Sequence, residues 1–233
     1  MIKFYFHTTP NPMKVALFLE ETGMPYELVP VDPLKGEQHS AAYLAINPNG
    51  KVPAIEDNGV RVFDSNAILL YLSEKSGQLG SRPELRGELL SWMMFVATGL
   101  GPFSGQAVHF RHAAPEQIPY AINRYLREAQ RHYEVLNTHL NNRDYIVGED
   151  YSTADIAAWC WVSRVSRVLG EDALSEYPNI QRWFEHIAHR PAVTRAQKIG
   201  QNVDFKQELD DTALRAMYPQ NYASPQANNN IIE

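Results

Sequence analysis

The residues best placed for chemistry fall in one stretch, Gly50-Lys51-Val52-Pro53-Ala54-Ile55, followed shortly by Asp64-Ser65. A proline inside an apolar strand removes a ladder donor, so it belongs at a sheet edge or a special turn. A cis Val52-Pro53 bond is expected there. Backbone groups left out of a ladder beside a sheet edge can accept an extended peptide as an added strand. Asp64 and Ser65 come one hairpin later and open a helix, whose N-terminus attracts a carboxylate. Together these residues describe a slot for a small peptide with a free amino-acid end. The same residues also fit a plain hairpin leading into a capped helix.

Other reactive side chains are sparse. Cys160 is the one cysteine, so an intramolecular disulfide and a CxxC redox pair are both ruled out. It stands in Ala157-Ala158-Trp159-Cys160-Trp161, the setting of a buried apolar residue. His109 and His112 are spaced to share a helix face, but no motif supplies a third ligand, and no metal is expected. Ser152 and Asp155 in Tyr151-Ser152-Thr153-Ala154-Asp155 form a capping box with Asp for the usual Glu, a structural role.

The elements that must position the slot read as β-α-β-α-β-β-α. Ile2 to His7 and Tyr26 to Asp32 are strands rich in β-formers. Asn11 fits a helix N-cap with Pro12 at the first helical position, and that helix stops at Gly23. A short helix is expected around Ala41 to Ile46. Val52 to Glu56 and Val60 to Phe63 form a hairpin across Asp57-Asn58-Gly59, and Ser65 to Ser76 is a helix closed by Gly77. After a linker from Gln78 to Leu85 no strand pattern remains. Helices are expected over Arg86–Leu100, Pro119–Leu140, Thr153–Leu169 and Asn179–His189, with a break or kink at Gly99-Leu100-Gly101-Pro102. The expected units are residues 1–78, 86–210 and an extension over 211–233 that loses periodicity and ends in a mobile tail from Ser224.

The chain has 233 residues, 44% of them hydrophobic, enough to bury a core. A net charge of −6 argues against a nucleic-acid partner, which needs a basic face. The opening apolar strand is too short for a signal sequence or a membrane span, and the single cysteine fits a reducing cytoplasm.

The β-α-β-α-β-β-α half with "NGKVPAI" and "FDSNAILLYL", followed by helices bearing "YSTADI", resembles the glutathione S-transferases over residues 1 to 210. "TPNPMKVALFLEE", "GEQ" and "GPFSGQAVHFRHAAPEQIPYAINRY" resemble more closely the bacterial nu-class members, glutathione-dependent disulfide-bond oxidoreductases. The resemblance implies an α/β thioredoxin-like N-terminal domain, an all-α C-terminal bundle, and a cytoplasmic homodimer with glutathione as cosubstrate. It also implies site roles. The Val52 backbone pairs with the cysteinyl residue, with Pro53 cis. Asp64 takes the γ-glutamyl ammonium and Ser65 its carboxylate, although many relatives carry Glu where Asp64 stands. Lys51 and Gln38 lie toward the glycine carboxylate or the peptide flank. Gln106, His109, Phe110 and Arg124 wall a second pocket for a small disulfide or electrophile.

The same resemblance selects Thr9 and Asn11, after the first strand, as the groups that stabilise the thiolate, with Tyr5 as the runner-up. Lowering a thiol pKa from ~8.5 to ~6.5 takes ~2.7 kcal/mol. One hydrogen bond to a charged group supplies about 1.5–3 and a helix N-terminus about 0.3–1, so a hydroxyl and an amide suffice without a base. The expected activity is glutathione-dependent disulfide reduction. Conjugation of electrophiles and a non-catalytic binding module are the alternatives.

Overall fold

The computed structural model describes residues 1–222. Four strands form one mixed sheet in the order β2-β1-β3-β4. They are β1 (Ile2–Phe6), β2 (Tyr26–Pro30), β3 (Ala54–Asp57) and β4 (Val60–Phe63). β1 runs parallel to β2 in the register Phe4↔Leu28, and antiparallel to β3 in the register Phe4↔Ile55. Alternation along β1 turns Ile2, Phe4 and Phe6 into the core, as period-two geometry requires. The β3–β4 turn takes Asn58 and Gly59 to positive φ, the conformation an Asn-Gly hairpin turn needs.

Helix α1 (Pro10–Thr22) follows β1, and α3 (Ser65–Ser76) follows β4. Between them lies the single turn α2 (Ala41–Leu44). Phe18 and Leu19 of α1 and Ile68, Leu69 and Leu72 of α3 join the β1 side chains in one core. Helix α1 starts two residues earlier than the Asn11 cap implies. Thr9 holds the cap position with extended φ and ψ, although its side chain makes no capping bond, and Pro10 opens the helix. Prolines are tolerated in the first turn because the N–H groups there have no intrahelical partner, so Pro10 and Pro12 both fit. Asn11 thereby becomes a helical residue rather than its cap.

Helices follow from residue 86. They are α4 (Arg86–Phe95), α5 (Gly101–His112), α6 (Pro119–His139), α7 (Thr153–Val162), α8 (Val165–Leu169), α9 (Pro178–Ala188), α10 (Pro191–Lys198) and α11 (Asp211–Met217). The Gly99-Leu100-Gly101-Pro102 stretch does not stop the chain. A π-helical turn over Val96–Leu100 absorbs the Pro102 defect and α4 runs on into α5. The expected Thr153–Leu169 helix divides at Ser163-Arg164. The extension beyond residue 210 is ordered at its start, with Asp210 capping α11 through the Ala213 N–H. The expected mobile tail from Ser224 lies outside the described residues. No helix among the described residues is long and apolar enough to cross a membrane.

Asp155 is fully buried, and its carboxylate accepts from the Ser152 N–H and Oγ, the Ile146 N–H and the Trp183 indole. The capping box of α7 therefore also pins the loop before it and α9 behind it.

Candidate active site

The N-termini of α1 and α3 open on the same cleft, of about 730 Å³. That size is ordinary for a small-molecule site. Asp64 caps α3, accepting from the Asn66 and Ala67 N–H groups. Its φ of 67° is unusual for a residue other than glycine, and such a conformation costs on the order of 1–3 kcal/mol. Ser65 follows as the first helical residue and is 4% exposed. The α3 N-terminus and the Ser65 hydroxyl face the cleft, where backbone N–H groups and the helix dipole favour an anion.

Lys14 lies beneath them, 1% exposed, and sequence reasoning missed it. Its ammonium donates to Ser65 Oγ and Asn66 Oδ1, each at 3.3 Å. No carboxylate forms an ion pair with it among the described residues, and burial lowers its pKa to about 8. A signal was available: Lys14 interrupts the apolar run Met13 to Leu19 one turn after Asn11, on the face that is buried.

Asn11 faces the cleft from the first turn of α1. Its Oδ1 accepts from the Trp161 indole N–H at 3.2 Å, which leaves the NH2 end of the amide without a protein acceptor among the described residues. Gly101 makes this approach feasible, since a Cβ there would stand 2.8 Å from Trp161 Nε1. Lys51 forms the cleft's far side with its Nζ 5.3 Å from the centre of the Tyr218 ring, and desolvation lowers its pKa. Val52 stands outside the sheet registers, which begin at Ala54, and the Val52-Pro53 bond is cis.

Helix α5 walls the cleft with Gln106, His109 and Phe110. The His109 ring meets Tyr218 edge to face at 5.3 Å, and burial lowers its pKa. Arg124 is not part of this wall. It is exposed on α6, paired with Glu128 at 2.9 Å. The i,i+4 spacing on a solvent-facing helix explains that pairing. Gln38 is also outside the cleft lining. It is 2% exposed and donates to the Ala216 carbonyl of α11 at 3.2 Å, so it holds the segment that carries Tyr218.

A second cleft of about 560 Å³ lies beyond Asn11. Thr9 lines this cleft and not the first. Asn11, Gly105, His109, Trp161 and Tyr218 line both. Tyr5 lines neither. Its ring packs edge to face on Tyr43 at 5.6 Å in a groove beside β2. Cys160 is 2% exposed and burial pushes its thiol up to about 12. Among the described residues no group of three or more His, Cys, Asp or Glu side chains could hold a metal.

A thioredoxin-like sheet domain joined to a helical domain, with a polar cleft at the two helix N-termini, defines a class. The models of the glutathione S-transferase N-terminal and C-terminal domains match residues 1–74 and 103–191, and the chain belongs to the glutathione S-transferase family. It is 46% identical over 204 residues to the disulfide-bond oxidoreductase YfcG of Escherichia coli, covering 84% of this chain and 94% of that one. Among solved structures, a glutathione transferase from Burkholderia graminis with two glutathione molecules bound per subunit superimposes with a TM-score of 0.80. It is 35% identical and covers 86% of this chain and 89% of its own. A glutathione transferase from Pseudomonas putida with one glutathione disulfide bound per subunit also gives 0.80. It is 36% identical, covering 85% of this chain and 91% of its own.

Proposed function

We propose that the protein is a glutathione-dependent disulfide reductase, in which residues 1–78 bind glutathione and helices of 86–210 complete the pocket. The observation that carries this reading is the position of Asn11, at the junction of the two clefts with the NH2 end of its amide unpaired among the described residues. Glutathione fills the first cleft. Its γ-glutamyl carboxylate meets the α3 N-terminus, Ser65 and the Lys14 charge, and Asp64 takes the ammonium. The Val52 backbone pairs with the cysteinyl residue and Lys51 turns toward the glycine carboxylate. Gln38 acts at one remove, through the segment it holds.

The glutathione sulfur then stands at Asn11, with Thr9 on the side of the incoming substrate. The amide donates to the thiolate and the α1 N-terminus adds its dipole. The thiolate attacks the nearer sulfur of a disulfide in line. A glutathione–substrate disulfide forms, the substrate S–S bond breaks, and the far sulfur leaves with the electron pair as a thiolate. A second glutathione thiolate attacks the glutathione sulfur of the mixed disulfide and releases the other half. One disulfide is reduced and two glutathiones become glutathione disulfide. No protein cysteine takes part, consistent with the burial of Cys160.

A homodimer is part of this reading. Leu90 and Met94, one turn apart on α4, and Phe63 on β4 leave large apolar side chains exposed, at 37%, 46% and 42%, on elements beside the cleft. A cytoplasmic setting accords with a single buried thiol and with the need for a reduced glutathione pool.

The deciding experiment is steady-state reduction of hydroxyethyl disulfide by glutathione, followed through glutathione disulfide. Turnover above the uncatalysed rate is expected. Glutathione binding without turnover of any disulfide would replace this reading with conjugation or with a binding role.

A further inference from the structure

The chain carries a net charge of −6, yet no Asp or Glu among the described residues lines the second cleft. Its polar wall is cationic and aromatic. Arg164 and Arg167, on the turn into α8 and on α8 itself, stand at one side, and neither has a carboxylate partner among the described residues. The Arg164 guanidinium donates to the Thr8 carbonyl at 3.3 Å, which sets it beside Thr9. Lys206 also lines the cleft, but its charge is met by Asp210 at 2.8 Å. Leu209, Leu214 and Met217 supply an apolar side.

His7 lines this cleft, is 7% exposed, and has no hydrogen-bond partner at either ring nitrogen among the described residues. Its Nε2 is 4.0 Å from Asp32 Oδ1, and the Phe205 ring packs against it edge to face. The Asp32 carboxylate is already engaged by the Leu34 and Lys206 N–H groups and by Lys35. Both His7 nitrogens are closed off from the cleft, so His7 contributes ring surface to its wall rather than a donor or an acceptor.

We propose that the second cleft selects small disulfides bearing a carboxylate close to the sulfur, with Arg164 and Arg167 taking the carboxylate. This deepens the reductase reading and rests on it. The electron and bond count is the one already given, with glutathione as the reductant in both steps. The arginine beside Thr8 and the reacting sulfur at Asn11 fix a short reach, so chain length as well as charge decides the fit. Guanidinium suits the task because its planar fork binds a carboxylate through two parallel hydrogen bonds.

The test compares three disulfides of similar length: dithiodiglycolate with two carboxylates, neutral hydroxyethyl disulfide, and cystamine with two ammoniums. Rates are corrected for the uncatalysed exchange. Dithiodiglycolate should exceed cystamine in kcat/KM by at least about tenfold, the scale of one charge-assisted hydrogen bond, and the gap should shrink with added salt. In Arg167→Gln and in the Arg164→Gln/Arg167→Gln double variant the ratio should fall toward unity. Equal use of the three substrates, or a preference that survives the double variant, overturns the proposal and leaves the reductase reading standing. If none of the three is turned over, the reductase reading fails, and calorimetry decides the cleft. Dithiodiglycolate should still bind protein saturated with S-methylglutathione, more weakly in Arg167→Gln, and no binding there overturns the proposal.

Discussion

The Trp161 indole, in the helical half, donates across 3.2 Å to the Asn11 amide oxygen in the first turn of α1. An amide is a donor at one end and an acceptor at the other, so this bond decides which end is offered to a sulfur. Asn11→Ala or Thr9→Val should lower kcat/KM for disulfide reduction at least ~10-fold, equivalent to ~1.4 kcal/mol. Trp161→Phe, which frees the amide to turn, should cost about 3-fold or more for the same reason. The absorbance of the bound thiolate against pH should move to a higher midpoint in the Asn11 variant. Tyr5→Phe should change the rate less and leave the midpoint in place. A shifted midpoint in the Tyr5 variant alone would assign the sulfur to a tyrosine and discredit the Asn11 mechanism.

Lys14 makes the first cleft sensitive to pH. In the folded protein its pKa is about 8, against 10.5 for an ordinary lysine. A lysine with a depressed folded pKa is disfavoured as the cation, so its burden on stability eases as pH rises from about 8 toward 10.5. An anion bound at Ser65 should raise the Lys14 pKa again, so binding near pH 8 to 9 should take up a proton. The clean probe is S-methylglutathione, which has no thiol of its own to ionise. Calorimetry in buffers of different ionisation heat should record greater uptake in the native protein than in Lys14→Met, because the ligand's own amine, held by Asp64 as the ammonium, contributes equally to both. Equal uptake in the two would move the proton to another group.

Ser65→Ala separates capping from ligand binding. Asp64 already caps α3 with its own carboxylate, so loss of the Ser65 hydroxyl should do little to the helix. The glutathione dissociation constant should rise by the equivalent of ~1.5–3 kcal/mol, one hydrogen bond to a charged group. An unchanged constant would leave Ser65 with a structural role only.

Cys160→Ala should keep disulfide-reductase turnover within about 2-fold, because the thiol is buried and its burial opposes the thiolate that exchange requires. The readout is turnover together with glutathione binding. A folded variant that binds glutathione and reduces nothing would require a protein thiol in the mechanism.

Local chemistry was what the sequence displayed well. The Asn58-Gly59 turn, the Ser65 to Ser76 helix with Gly77 behind it and the Ser152–Asp155 box are each decided within a few residues, and each is found as expected. Helix α5 was hidden because its glycines and Pro102 read as breakers, whereas a π turn accommodates them. Thr9 took the cap position expected of Asn11 because two prolines fit a first turn in more than one register. Trp161 and Tyr218 could not be read as cleft residues at all, since what brings them to Asn11 and Lys51 is packing across more than 140 residues of chain. Arg124 shows the opposite failure: its surroundings in sequence looked like the wall, but its face of α6 points to solvent and Glu128.

The α11 segment returns to the first domain through the Gln38–Ala216 and Asp32–Lys206 bonds and brings Tyr218 over the cleft. The loop after β2 and α11 therefore meet at one seam. A molecule held there and the order of the last helix are coupled, and coupling of this kind is reciprocal. Whatever factor a docked α11 adds to ligand affinity, the ligand returns to α11 as resistance to local opening. Amide hydrogen exchange in residues 211–217 is thus a built-in occupancy gauge, slowing as the seam fills.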